Sequence, residues 1–276
     1  MSIARHPVAI GLDEFQAESK EIVERAKNDE VVIRILGGFA IFIHSDHCGE
    51  GRSLQTNAGR LGEGKPAFTD LDLIGYSKQH GKIRDVLEKK LRLKPDRMIN
   101  ALYGASRLVY YHPTAAFPID VFFDKLDFSH EVSFGEHKRG RLELDYPTLD
   151  LADLMLEKLQ VHDINRKDLI DMAALILGHD LSRDDDNDKI NAKHISRTLA
   201  NDWGFWYDAT QNLGRVKSLC KQLLEEGRLT HSLLGTLESR IVHLENIIEE
   251  EPKTEAWKVR SRVGLSKPWY REVEDL

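Results

Sequence analysis

Asp70 and Asp72 flank Leu71 in the stretch Thr69-Asp70-Leu71-Asp72-Leu73-Ile74. On a strand, residues i and i+2 point to the same side, so two carboxylates would face one point while Leu71 and Leu73 enter the core. Paired hard oxygen ligands suit Mg²⁺ or Mn²⁺, ions that keep some water and take substrate phosphates as further ligands. A third carboxylate, Asp120, stands in the otherwise apolar run Pro118-Ile119-Asp120-Val121-Phe122-Phe123. Burying a carboxylate is costly unless it is paired or binds a metal. Brought together, Asp70, Asp72 and Asp120 could hold two metal ions for an in-line phosphoryl displacement. A D-x-D pair alone is common on solvated strands and turns, so the weight falls on Asp120 among its apolar neighbours. Asp124 reads as an exposed terminator of the same run.

Gly37-Gly38 is the second chemical element. Glycines at a strand-to-helix turn let backbone approach a phosphate, and a helix N-terminus favours negative charge. Most Gly-Gly pairs are only turns, so this one draws its meaning from the order strand, glycines, short helix, loop, D-x-D strand. Arg60 and Lys65 precede Asp70 in that loop, where they could meet a triphosphate. The basic stretch 78–97 holds eight Lys and Arg against Asp85, Glu88 and Asp96. It could guide a phosphate-rich acceptor such as tRNA, although a solvated helix face accounts for most of it.

These residues need a scaffold. Helical periodicity covers 13–28, with Phe15, Ile22, Val23 and Ala26 as the buried face, and 82–92. Strand signals cover 31–36, 71–76, 97–103, 107–112 and 117–123, with a further short one near 141–145. Gly104 suggests a hairpin between the third and fourth. Residues 45–66 read as an exposed loop, long for a compact domain. Beyond Pro147 the chain turns helical over 149–161, 167–177, 195–207, 213–226 and 233–250. Asn165 is a plausible N-cap with Asp168 three positions on. The fold class expected is α/β (α+β): a mixed-sheet domain over 1–147, then a helical domain over 148–276 that completes an active-site cleft.

Composition narrows the classes. The chain has 276 residues, 41% of them hydrophobic, with a net charge of −7. That supports a sizeable core and argues against a broad nucleic-acid-coating surface. No opening apolar run predicts a signal peptide, and no stretch reaches the roughly 18 apolar residues of a membrane span. Cys48 and Cys220 make neither a disulfide framework nor a zinc site, so a reducing cytoplasm fits. The acidic run 184–188 lacks the Gly and Glu of an EF-hand, the His residues lack zinc-helix spacing, and Ser106 and Ser129 lack a nucleophile elbow. Trp203, Phe205, Trp206 and Tyr207 read as core or contact residues rather than a base-stacking platform.

The order Gly37-Gly38, Asp70-x-Asp72, Asp120 resembles the DNA polymerase β-like nucleotidyltransferase superfamily. The likeness spans about 31–125, with Phe39 where the family often has Ser or Thr and a longer gap before Asp70. It implies that Gly37 and Gly38 hold an NTP and that Asp70, Asp72 and Asp120 hold Mg²⁺ or Mn²⁺. The helical segment Leu151–Leu159, followed by Asn165-Arg166-Lys167-Asp168-Leu169-Ile170-Asp171, looks like the AbiEii-type nucleotidyltransferase toxins. That likeness implies active-site roles for Lys158, as a point charge on nucleotide phosphates, and for Asp168, which would orient Lys158 or the nucleotide. Asp168 also reads as a helix cap, and Asp171 as an ordinary surface partner of Arg166 or Lys167. The function implied is transfer of an NMP from an NTP to tRNA or protein, as the toxin half of a toxin–antitoxin pair with a cognate antitoxin. A small-molecule, antibiotic-type nucleotidyltransferase and a noncatalytic nucleotide-binding module are the alternatives.

Overall fold

In a computed structural model, the described residues are 11–62, 66–114 and 117–272. Lys65 lies outside them. In chain order the elements are α1 (Leu12–Asn28), β1 (Ile33–Ile35), α2 (Gly37–His44), α3 (Gly49–Asn57), β2 (Leu71–Gly75), α4 (His80–Arg84), β3 (Lys94–Pro95), α5 (Arg97–Tyr103), β4 (Arg107–Tyr111), β5 (Pro118–Phe123), β6 (Lys125–Asp127) and β7 (Glu131–Ser133). There follow α6 (Leu151–Leu159), α7 (Arg166–Gly178), β8 (Asp180–Ser182), β9 (Lys189–Asn191), α8 (Ala192–Leu199), α9 (Trp203–Glu225), α10 (His231–Glu250) and α11 (Glu255–Val263). The class is mixed α/β, as expected. No described helix is long and apolar enough to cross a membrane.

The chain divides into two compact units. The first takes the described residues of Met1–Ala40, Glu63–Lys125 and Ser133–Leu149; the second takes those of Ile41–Gly62, Leu126–Val132 and Asp150–Leu276. The first unit holds a five-stranded sheet in the order β1-β2-β5-β4-β3. β2 and β5 run parallel at its centre, and the other pairings are antiparallel. Period-2 alternation buries Leu71 and Leu73 of β2 and Ile119 and Val121 of β5 completely. The residues between them, Asp72 and Asp120, fall on the other face and are half-buried. Phe15, Phe39, Phe68 and Phe117 form an edge-to-face cluster with neighbouring centroids 4.8–5.3 Å apart. Phe39, which stands where a hydroxyl residue was looked for, is therefore a core side chain.

Three local expectations are corrected. Residues 97–103 form a helix, not the first strand of a hairpin. The Asp96 carboxylate accepts from the N–H groups of Met98 and Ile99, and this cap outweighs the strand-like composition. Within 45–66, residues Gly49–Asn57 are helical and bury Gly51, Leu54 and Gln55. Gly51 suits that packing because a Cβ there would sit 3.2 Å from the Ala174 carbonyl oxygen. Arg141–Glu143 is a single 3₁₀ turn and not a strand.

The second unit is mainly helical. Asp150 caps α6 and Asn165 caps α7 through its side chain, which accepts from the Asp168 N–H at 3.1 Å. Every residue of α6 is buried, including Asp153, Glu157 and Lys158. Charges enclosed in this way need partners, and the chain supplies them.

Candidate active-site carboxylates and a buried charge network

In the parallel β2–β5 register, Asp72 lies directly opposite Asp120. Strands sit about 4.8 Å apart, so the sheet itself sets these two carboxylates side by side. Asp70 lies one residue before β2, exposed, with the Thr69 hydroxyl donating to its Oδ1 at 3.2 Å. β1 ends at Ile35 and Gly37 opens α2, with Gly38 buried beside it. Gly37 has φ +76°, and a Cβ on it would come within 2.9 Å of Asp72 Oδ2. The backbone at the start of α2 is thus pressed against the Asp72 carboxylate in a space that only glycine leaves open. Gly37→Ala is expected to cost about 1–2 kcal/mol through the left-handed backbone and this clash, read as a lowered urea midpoint with unchanged slope.

On the other side of Asp120, Arg107 of β4 donates from Nε to Oδ1 at 2.9 Å. Asp124 follows the last residue of β5, half-buried rather than exposed, with φ +60°, and its Oδ1 accepts from the Ser77 N–H. The donor chemistry of Asp70, Asp72 and Asp120 suits Mg²⁺ or Mn²⁺. As the side chains stand, no three carboxylate, imidazole or thiol groups among the described residues are grouped to hold a metal ion. The Asp120 carboxylate is turned toward Arg107.

The structure places Lys158, Asp168 and Arg60 in one network within the second unit. Lys158 Nζ lies 2.8 Å from Asp168, 3.4 Å from Asp171 and 3.7 Å from Glu157. Arg60 grips Asp171 bidentately, from Nε at 2.7 Å and Nη2 at 2.8 Å, and Gln55 donates to Asp171 Oδ1 at 2.9 Å. Burial alone would lower the Lys158 ammonium, but Asp168, Asp171 and Glu157 outweigh it and hold the group well above its ordinary value. Burial alone would raise the Asp171 carboxyl, but Lys158, Arg60 and Gln55 hold it below the usual carboxylate range. Both charges are therefore fixed. Lys158 pairs with three carboxylates, and the shortest contact is with Asp168, the residue expected to orient it or the nucleotide.

Asp171 was read as a surface residue and is the centre of this network, fully buried. Arg166 lies 3.7 Å from Glu226 instead. The missed signal was position: Asp168 and Asp171 are three apart, so they share a face of α7. Asp208, which no motif marks in the sequence, accepts from His130 Nε2 at 2.8 Å, His162 Nδ1 at 3.0 Å and Trp269 Nε1 at 3.1 Å. Burial alone would raise this carboxyl, and the three donors keep it low. Within residues 78–97, Lys89 pairs with Asp85, Arg84 with Glu88 and Lys90 with Asp29, as on a solvated helix face.

No protein-family model and no curated protein matches the chain. Among solved structures, it is similar over 59% of its length to the antibiotic-resistance factor ANT(2'')-Ia, covering 84% of that chain at 12% identity and a TM-score of 0.35. It is also similar over 90% of its length to an antigenic nucleotidyltransferase-like protein from Paracoccidioides brasiliensis, covering 97% of that chain at 10% identity and a TM-score of 0.40. At these scores neither likeness carries a residue or an activity over to this chain.

Proposed function

We propose that the chain is a metal-dependent nucleotidyltransferase that moves an NMP from an NTP to an acceptor. The observation that carries this reading is the alignment of Gly37, Asp72 and Asp120: a helix N-terminus pressed against one carboxylate, with a second in register on the next parallel strand. Asp70 and Asp72 would hold two divalent cations and Asp120 one of them. When bound, Mg²⁺ or Mn²⁺ would neutralise phosphate oxygens and polarise the α-phosphoryl group. Gly37 and Gly38, at the N-terminal end of α2, would line the triphosphate site. The acceptor oxygen attacks the α-phosphorus, the bond from that phosphorus to the β-bridging oxygen breaks, and pyrophosphate leaves. Asp120 assists by taking the acceptor proton. Positioning and charge neutralisation supply most of the rate.

Lys158, Asp168 and Arg60, with Asp171, are read as a rigid support in the second unit. Their charges already compensate one another, so contact with phosphate would first require those ion pairs to open. The acceptor we favour is tRNA or protein, in a toxin role.

The experiment is transfer of label from each α-³²P NTP with Mg²⁺ to tRNA, to protein in a cell lysate, and to small hydroxylated acceptors in separate reactions. Label transferred by wild type and absent with Asp70→Ala supports the reading, and the labelled fraction identifies the acceptor class. No label above the Asp70→Ala control in any fraction, with every NTP, overturns it.

A further inference from the structure

α5 is tied to the first unit by hydrogen bonds at its ends and middle. Asp96 caps its first turn, and the Asn100 side chain pairs with both backbone groups of Val109, donating to the carbonyl at 3.0 Å and accepting from the N–H at 2.7 Å. Gly104 follows the helix, and its carbonyl oxygen lies 2.8 Å from His80 Nε2. No residue of α5 is buried. A surface helix ordinarily turns its apolar stripe to the core. Here Met98 and Leu102, four apart and so on one face, are 74% and 69% exposed, the most exposed large apolar side chains among the described residues. A cavity of about 550 Å³ adjoins them, with Arg84, Arg97, Leu102 and Leu108 in its wall. Leu108 stands opposite Val121 in the sheet while its neighbour Arg107 reaches Asp120, so strand alternation sets the cavity on the face away from Asp120.

Exposed apolar side chains clustered beside a cavity mark an interaction site. The charge around them selects the occupant. Residues 78–97 carry eight Lys and Arg against three carboxylates, in a chain of net charge −7. Those three are already engaged: Asp85 pairs with Lys89, Glu88 accepts from Arg84 and the Tyr110 hydroxyl, and Asp96 caps α5. Arg97 is exposed on the cavity wall. A nucleic acid would use the cations but would leave the aliphatic Met98 and Leu102 without a counterpart, whereas an amphipathic helix with acidic flanks matches both. We propose that the α5 face and this cavity dock an acidic amphipathic helix of a partner protein. Its apolar residues cover Met98 and Leu102 and enter the cavity, and its carboxylates meet Arg97.

The test is fluorescence polarisation of the full chain with a labelled peptide of about 14 residues that carries Leu at i, i+3, i+4 and i+7 and Glu on the flanks, beside a scrambled peptide of the same composition. Wild type is expected to bind the amphipathic peptide with a Kd of about 50 µM or tighter, and about tenfold more tightly than the scrambled one. Leu102→Gln should weaken binding about tenfold, and Arg97→Glu about fivefold at low salt with the difference fading as salt is raised. Both side chains are exposed, so urea midpoints should stay at the wild-type value and separate docking from folding. Equal binding of the two peptides, or no loss in Leu102→Gln, overturns the proposal. So does tighter binding of a single-stranded RNA oligomer that Arg97→Glu weakens and Leu102→Gln does not, which would make this a nucleic-acid surface. A dimer in sedimentation that Leu102→Gln dissociates overturns it too, because a second copy of the chain would then cover the face.

Discussion

Asp72→Asn is expected to lower nucleotidyl transfer by about three orders of magnitude or more while leaving the fold in place. The amide has the shape of the carboxylate and lacks its charge. Asp72 sits on the half-buried face of β2, with Leu71 and Leu73 carrying the packing from the other side. Stability should therefore hold or rise slightly, because the change removes a negative charge set directly across from Asp120. This is the usual direction for a residue kept for chemistry rather than stability. Initial rates with labelled NTP, beside urea midpoints of both proteins, check it. A variant that retains a tenth of the wild-type rate would remove Asp72 from the metal centre. A variant that fails to fold would assign the residue to the fold instead.

Asp171→Ala is expected to have the largest effect on stability, a loss of about 3–5 kcal/mol. The carboxylate takes hydrogen bonds from Gln55 and two nitrogens of Arg60, and lies 3.4 Å from Lys158. Its removal leaves the buried Lys158 with Asp168 and Glu157 and takes from Arg60 the carboxylate it grips with two nitrogens. Asp171→Asn keeps some hydrogen bonding and should cost less. The pH dependence has a defined sign. The folded-state pKa of Asp171 is depressed, so its contribution is fully present above the unfolded value of about 4 and is lost as pH falls through the lower folded value. The stability gap between wild type and Asp171→Asn should accordingly be constant from pH 7 down to about 5 and narrow below about 4. Urea midpoints across that range test this. A gap that persists unchanged to pH 2.5 would mean that the carboxylate charge contributes nothing.

Local patterning in the sequence determined several features outright. The helical period over 13–28 matches α1, with the same buried Phe15, Ile22, Val23 and Ala26. The apolar runs at 71–76 and 117–123 are β2 and β5, because alternation fixes which face each residue takes. Asn165 is the N-cap it was read to be, since a cap needs only its own side chain and the next three residues. Strand composition misled at 97–103, where a competing local signal, the Asp96 cap, decided for helix.

Only the tertiary structure decided which distant residues meet. Asp72 opposite Asp120 depends on β2 and β5 being parallel neighbours in one register, a pairing separated by a crossover that includes α4, α5 and β4. Gln55 and Arg60 reach Asp171 across 116 and 111 residues, through α3, in a segment whose Gly, Ser and Asn content read as loop. Register and long-range burial are set by packing summed over the whole fold, which no local window contains. The same holds for Arg107, an unremarked residue between Ser106 and Leu108 in sequence and the partner of Asp120 in space.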